Sequence, residues 1–77
     1  MDSQLKKQIA DELEVEIESL RPNTNLKDLE YWDSVMALTV MTLIEISIGM
    51  PVSPEDFSNV VTFGDIEKLV ENTINSR

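Results

Sequence analysis

The chain has 77 residues and room for one small core, and its fifteen acids against six bases leave a formal charge of −9. That charge argues against nucleic-acid binding, which needs cations to displace counterions, and against docking on anionic lipid. With no Cys and no His, disulfides, thiolate zinc sites and the commonest general base are excluded, and a Ser nucleophile lacks its usual activating partner.

Hydrophobic residues make up 42% of the chain and recur at regular spacing, so a folded domain is expected rather than an acidic disordered tail. The prior moves away from an enzyme and toward a binding or carrier module. The N-terminus has no apolar core of signal-peptide type. The longest apolar-rich run, residues 35–52, is broken by Thr39, Thr42, Glu45 and Ser47 and makes a poor membrane span. The expected place is the cytoplasm.

The first expected element is a helix over 3–15. Leu5, Ile9 and Leu13 recur every fourth position between charged residues, and Ser3 is the expected cap. The segment 14–18 alternates like a strand but has no partner segment, so it reads as a last helical turn followed by loop. Residues 19–33 form a long loop. Pro22, Asn23 and Asn25 are turn residues, and Leu20, Leu26 and Leu29 are apolar pins that would hold the loop on the core.

A second helix is expected over 34–48, ended by Gly49 and Pro51. Its core stripe reads Leu38, Met41 or Val40, Ile44 and Ile48. Val35, Met36, Ala37 and Ile46 cannot all point inward as well, so this helix is either central or partly covered by a partner. A short third helix is expected over 54–59, with Ser53 as cap, Pro54 at the first position and Phe57 and Val60 facing the core. The last helix is expected over 63–75. Thr62 and Asp65 have capping-box spacing, and Phe63, Ile66, Val70 and Ile74 form the inner stripe. The sum is an all-α, four-helix bundle with a long loop between helices 1 and 2.

The stretch Tyr31-Trp32-Asp33-Ser34-Val35 stands where that loop meets the second helix, and it holds the only Tyr and the only Trp. Asp and Ser are both good caps, and a cap is the plain reading of the pair. A helix N-terminus also offers free N–H groups and the positive end of a dipole, which favour a bound or attached phosphate. Ser34 is therefore a candidate to bear a phosphodiester, with Asp33 as a cap or as an aid to a modifying enzyme.

In this order of elements the chain resembles the acyl carrier protein family. Asp33-Ser34-Val35 is similar to the family motif Asp-Ser-Leu, the stretch "LRPNTNLKDLEYWDS" resembles its pinned loop, and "MPVSPEDF" with "TFGDIEKLV" resembles its third and fourth helices. The resemblance implies that Ser34 accepts a 4′-phosphopantetheine arm from coenzyme A through a separate Mg²⁺-dependent phosphopantetheinyl transferase. The arm's thiol would then carry an acyl or aminoacyl thioester. It implies partners that load and use the acyl group, a monomer, and no catalytic residue or bound metal in the carrier itself. It also implies that Val40, Ile44, Phe57 and Val60 line a shelter for cargo between the second and third helices.

Three departures from the family are visible. Val35 replaces the usual Leu. Glu30-Tyr31-Trp32 stands where a Gly is often found shortly before the Asp, and a Trp just before Asp-Ser looks like the version in stand-alone carriers outside housekeeping fatty-acid synthesis. The second helix holds a single acid, Glu45, where fatty-acid carriers have several. Docking is therefore expected through Val35, Met36 and Met41, with Glu45 and Asp56 as flanking charges, unless the Met residues are core filler. The alternatives are a peptidyl carrier and a small acidic interaction module in which Asp33-Ser34 is only a cap. A calcium module of EF-hand type fails on ligand spacing.

Overall fold

The apolar spacing near the N-terminus folds into a helix, α1 (Ser3–Leu13), whose inner stripe Leu5, Ile9, Ala10 and Leu13 is buried. The computed structural model describes residues 1–76 and, after α1, contains α2 (Ser34–Ile48), α3 (Pro54–Ser58) and α4 (Phe63–Asn75). Single 3₁₀ turns at Ile17–Ser19 and Leu26–Asp28 interrupt the long loop. The described residues contain no strand, only one isolated antiparallel bridge between Asn25 and Thr62.

Two expectations for α1 need correction. Its cap is Asp2, whose carboxylate accepts the Gln4 N–H at 3.1 Å, and Ser3 is already helical. The helix ends at Leu13 rather than 15. Glu14 takes the left-handed conformation (φ 56°), and the Val15 N–H returns to the Ala10 carbonyl at 3.0 Å, the Schellman reversal. The reversal turns Val15 back onto the core, where it is half-buried. That packing outweighs the cost of a left-handed Glu.

The loop is pinned as expected, with Leu20 and Leu26 buried and Leu29 half-buried. It is also stitched to the start of α4 by main-chain bonds that no side-chain pattern announces. Leu26 N–H donates to the Val61 carbonyl (3.0 Å), Phe63 N–H to Thr24 (2.9 Å) and Gly64 N–H to Pro22 (3.0 Å). Thr24 adds a knot inside the loop: its hydroxyl donates to the Ser19 carbonyl (2.8 Å) and accepts the Arg21 N–H (2.9 Å).

Helix α4 begins with a complete capping box. Thr62 Oγ1 accepts the Asp65 N–H, and the Asp65 carboxylate accepts the N–H groups of Val61 (2.9 Å) and Thr62 (3.1 Å). The Val61 and then the Thr62 N–H hold the Asp65 carboxyl below its ordinary range, with the Thr62 hydroxyl and Lys68 adding to the effect. Phe63, Ile66 and Val70 are buried, but Ile74 is not. It keeps the inner phase yet lies in the last turn of α4. There it borders a shallow groove with Met1, Leu5 and Ile48, with no further layer above.

Helix α2 ends as expected at Gly49, which is left-handed (φ 71°). Ser53 caps α3, with Pro54 in its first turn; this helix stops at Ser58, one residue short of the expected end, and buries Phe57. α1 packs against α2 and α3 against α4. Among the described residues thirteen buried hydrophobic side chains join one core, and all but Ala10 contribute roughly 1.5–3 kcal/mol each on burial. Among the described residues no polar side chain is buried, so nothing in the core needs a partner.

Gly64 is the second residue of α4, a first-turn position where Gly costs less than in a helix middle. A Cβ there would lie 2.6 Å from the Pro22 carbonyl oxygen, a backbone atom that the stitch holds in place. Gly64→Ala is therefore expected to lower stability by roughly 1–3 kcal/mol in denaturant titration. An unchanged or raised midpoint would show that the contact at Pro22 relaxes freely.

Candidate functional site

Asp33 and Ser34 divide the work at the start of α2. Asp33 is the cap: its carboxylate accepts the Met36 N–H at 2.7 Å and its main-chain carbonyl accepts the Ala37 N–H at 2.9 Å. Ser34 is the first helical residue and is exposed. The amides of Ser34 and Val35 come too early in the helix to find an intrahelical acceptor, so they face outward beside the Ser34 hydroxyl. Such a helix end attracts negative charge.

Beside Ser34 lies an open groove of about 600 Å³. One wall is the first two turns of α2, through Ser34, Ala37, Leu38 and Met41. The other is α3 with the residues that follow it, through Pro54, Phe57, Ser58 and Val60. The loop contributes Lys27 and Trp32 to its lining. Trp32 is half-buried and packs on the core, its ring 6.5 Å from that of Phe57 and tilted by 38°. It thus seals the loop and walls the groove at once. Tyr31 is exposed. Phe57 and Val60 line the groove as expected, but Val40 and Ile44 are fully buried behind it.

The phase of α2 corrects the expected core stripe. Val40 and Ile44 face inward with no exposure, and Leu38, about 200° around the helix from Val40, is 60% exposed. Val35 (70%) and Ile46 (75%) are exposed on the same side. Thr42 lies between them and donates its hydroxyl to the Leu38 carbonyl at 2.9 Å, which makes that position less polar than its name. One face of α2 therefore carries an apolar stripe at i, i+3, i+7 and i+11 that none of the described residues covers.

The residues expected to meet partners fall in different places. Val35 is on the exposed stripe. Met36 and Met41 are half-buried against the core, and Met41 also lines the groove. Glu45 is half-buried, and its carboxylate accepts the Val52 N–H at 2.8 Å, tying the turn after α2. Asp56 is exposed in the first turn of α3 and borders a separate groove toward α4. The expected stripe puts Leu38 on the wrong side, and a helical phase fixed on Val40 and Ile44 alone turns it outward. Lys27 carried no sequence signal, because only the folded loop brings it to the groove.

The family model for the phosphopantetheine attachment site matches residues 3–70. No curated protein matches the chain.

The two neighbouring polar residues should separate cleanly in stability. Asp33→Ala is expected to cost about 0.5–2 kcal/mol by denaturant titration, the value of a lost cap. Ser34→Ala should stay within about 0.5 kcal/mol of the parent. Equal losses at both positions would mean that Ser34 shares the capping role.

Proposed function

The chain belongs to the phosphopantetheine attachment family, and from that premise we propose that Ser34 is its attachment residue and that the groove beside it receives the arm and cargo. Domains of this family hold a covalent 4′-phosphopantetheine and act as carriers rather than catalysts. The observation that supports Ser34 is the freedom of its hydroxyl: Asp33 performs the cap, so Ser34 is exposed at the helix N-terminus.

The residues present fit the group. Outward amides of Ser34 and Val35 suit a phosphodiester, and the apolar groove wall at Ala37, Leu38, Met41 and Phe57 suits an extended arm with an acyl end. When bound, the arm supplies the thiol that this Cys-free chain lacks. In the loading step the Ser34 Oγ forms a bond to the phosphorus of coenzyme A. The pyrophosphate bond breaks, 3′,5′-adenosine diphosphate leaves, and the hydroxyl proton is released. Asp33, exposed beside Ser34, offers the transferase a carboxylate with which to align a metal ion or basic group.

The reading takes residues 1–77 as one carrier unit with acyl or related carboxylic cargo. It is a monomer, since a charge of −9 opposes self-association, and it is placed in the cytoplasm. No helix among the described residues is long and apolar enough to cross a membrane. Its enzyme partners dock on the uncovered stripe Val35, Leu38, Thr42 and Ile46, which begins beside Ser34. Met36 and Met41 support that stripe from the core side, and Glu45 is the acid on the same helix, while Asp56 adds an exposed charge on α3.

Incubation with coenzyme A, Mg²⁺ and a broad-specificity phosphopantetheinyl transferase should add one phosphopantetheinyl group to the intact mass, and Ser34→Ala should abolish the gain. No gain with an active transferase overturns the carrier reading of this chain. Asp33→Asn should keep the cap, because Asn is an equivalent capping residue, while slowing modification. For docking, affinity for a loading enzyme should change little with added salt and fall in Leu38→Asp and Ile46→Asp. A steep loss with salt would indicate charge-led docking instead.

A further inference from the structure

Every acid near Ser34 makes an anionic arm harder to hold, and the chain has nine more acids than bases. Asp33 stands on the groove wall itself. Against this, among the described residues one cation lines the groove. Lys27 lies in the 3₁₀ turn Leu26–Asp28, and the loop's stitch to Val61 fixes that turn beside the residues that follow α3. Asn25 caps the turn by accepting the Lys27 N–H at 3.0 Å, so the stem of Lys27 starts from a held backbone position. Trp32 and Phe57 line the same groove and offer apolar faces along which a long stem can lie with its charge outward.

A groove with apolar walls and one cation suits a ligand that is apolar along its length and carries an anionic oxygen. We propose that Lys27 is a positioning residue that pairs with such an oxygen on whatever Ser34 holds. The inference rests on the carrier reading above. Two sources offer the same chemistry: the phosphodiester of the arm, or a carboxylate at the far end of a dicarboxylic half-thioester. In either case the pair holds the chain along Trp32 and Phe57 and slows attack on the thioester from solvent.

The test compares four forms of the full chain. These are the apo protein, the coenzyme A-loaded form, and two forms loaded by the same transferase from coenzyme A thioesters of equal chain length, one a straight-chain acyl and one a dicarboxylic half-acyl. The readout is the Lys27 side-chain methylene resonance, with the ³¹P resonance of the arm as a second probe. The Lys27 signal should shift between apo and at least one loaded form, and the shift should collapse in high salt. A shift already present in the coenzyme A-loaded form assigns the phosphodiester, and one confined to the dicarboxylic form assigns the cargo. Lys27→Met should raise hydroxylamine cleavage of the favoured thioester about threefold, the scale of an exposed ion pair, with Lys27→Arg close to the parent. A Lys27 signal unmoved across all four forms, with the mass gain present, overturns this inference alone. Absence of the mass gain removes the carrier reading and this inference together.

Discussion

The hydrogen bond from Met36 N–H to the Asp33 carboxylate is the constraint on which the site depends. It fixes where α2 begins, and so it fixes Ser34 as the first helical residue rather than the cap. A cap turns its side chain back onto the helix end and spends its oxygen there. Because Asp33 has taken that duty, the Ser34 hydroxyl is not spent on the cap and Ser34 stays exposed. The two open amides beside it follow from the same start point.

The rest of the groove is set by the loop. Three main-chain bonds, from Leu26 to Val61, Phe63 to Thr24 and Gly64 to Pro22, bind the loop to the start of α4. They bring Lys27 and Trp32 to the cleft between α2 and α3. Glu45 completes the frame from the other side through the Val52 N–H, setting the turn that leads into α3. A charge expected to face partners is thus partly spent on architecture. Chain length imposes the remaining feature. A helix of fifteen residues in so small a domain cannot bury both its faces, and α2 is apolar on both. The inward face, Val40 and Ile44, builds the core, and the outward one stays exposed.

Much of this was legible in the sequence where the signal is local. The capping box at Thr62 and Asp65, Gly49 after α2, Pro54 inside α3 and the four-residue spacing in α1 each act through neighbours a few positions away. The Asp33-Ser34 junction belongs to the same class. What was not legible depends on contacts distant in sequence. Glu14 ends α1 in a conformation that only the packing of Val15 justifies. Gly64 reads as a tolerated first-turn glycine until Pro22 is seen against it. Leu38 was misplaced because α2 is apolar all round, so its hydrophobicity does not mark a face. Lys27 is distant from Phe57 in the chain and reaches the groove only through the fold.

The central claim is that Asp33 caps α2 and leaves Ser34 as the hydroxyl that is modified. Fragment-ion mass spectrometry of the transferase-treated chain tests it most directly, because it locates the added group on one residue among several exposed hydroxyls. The predicted result is a phosphopantetheinyl group on Ser34. The same group found instead on another hydroxyl, such as Ser53 or Ser58, would contradict it.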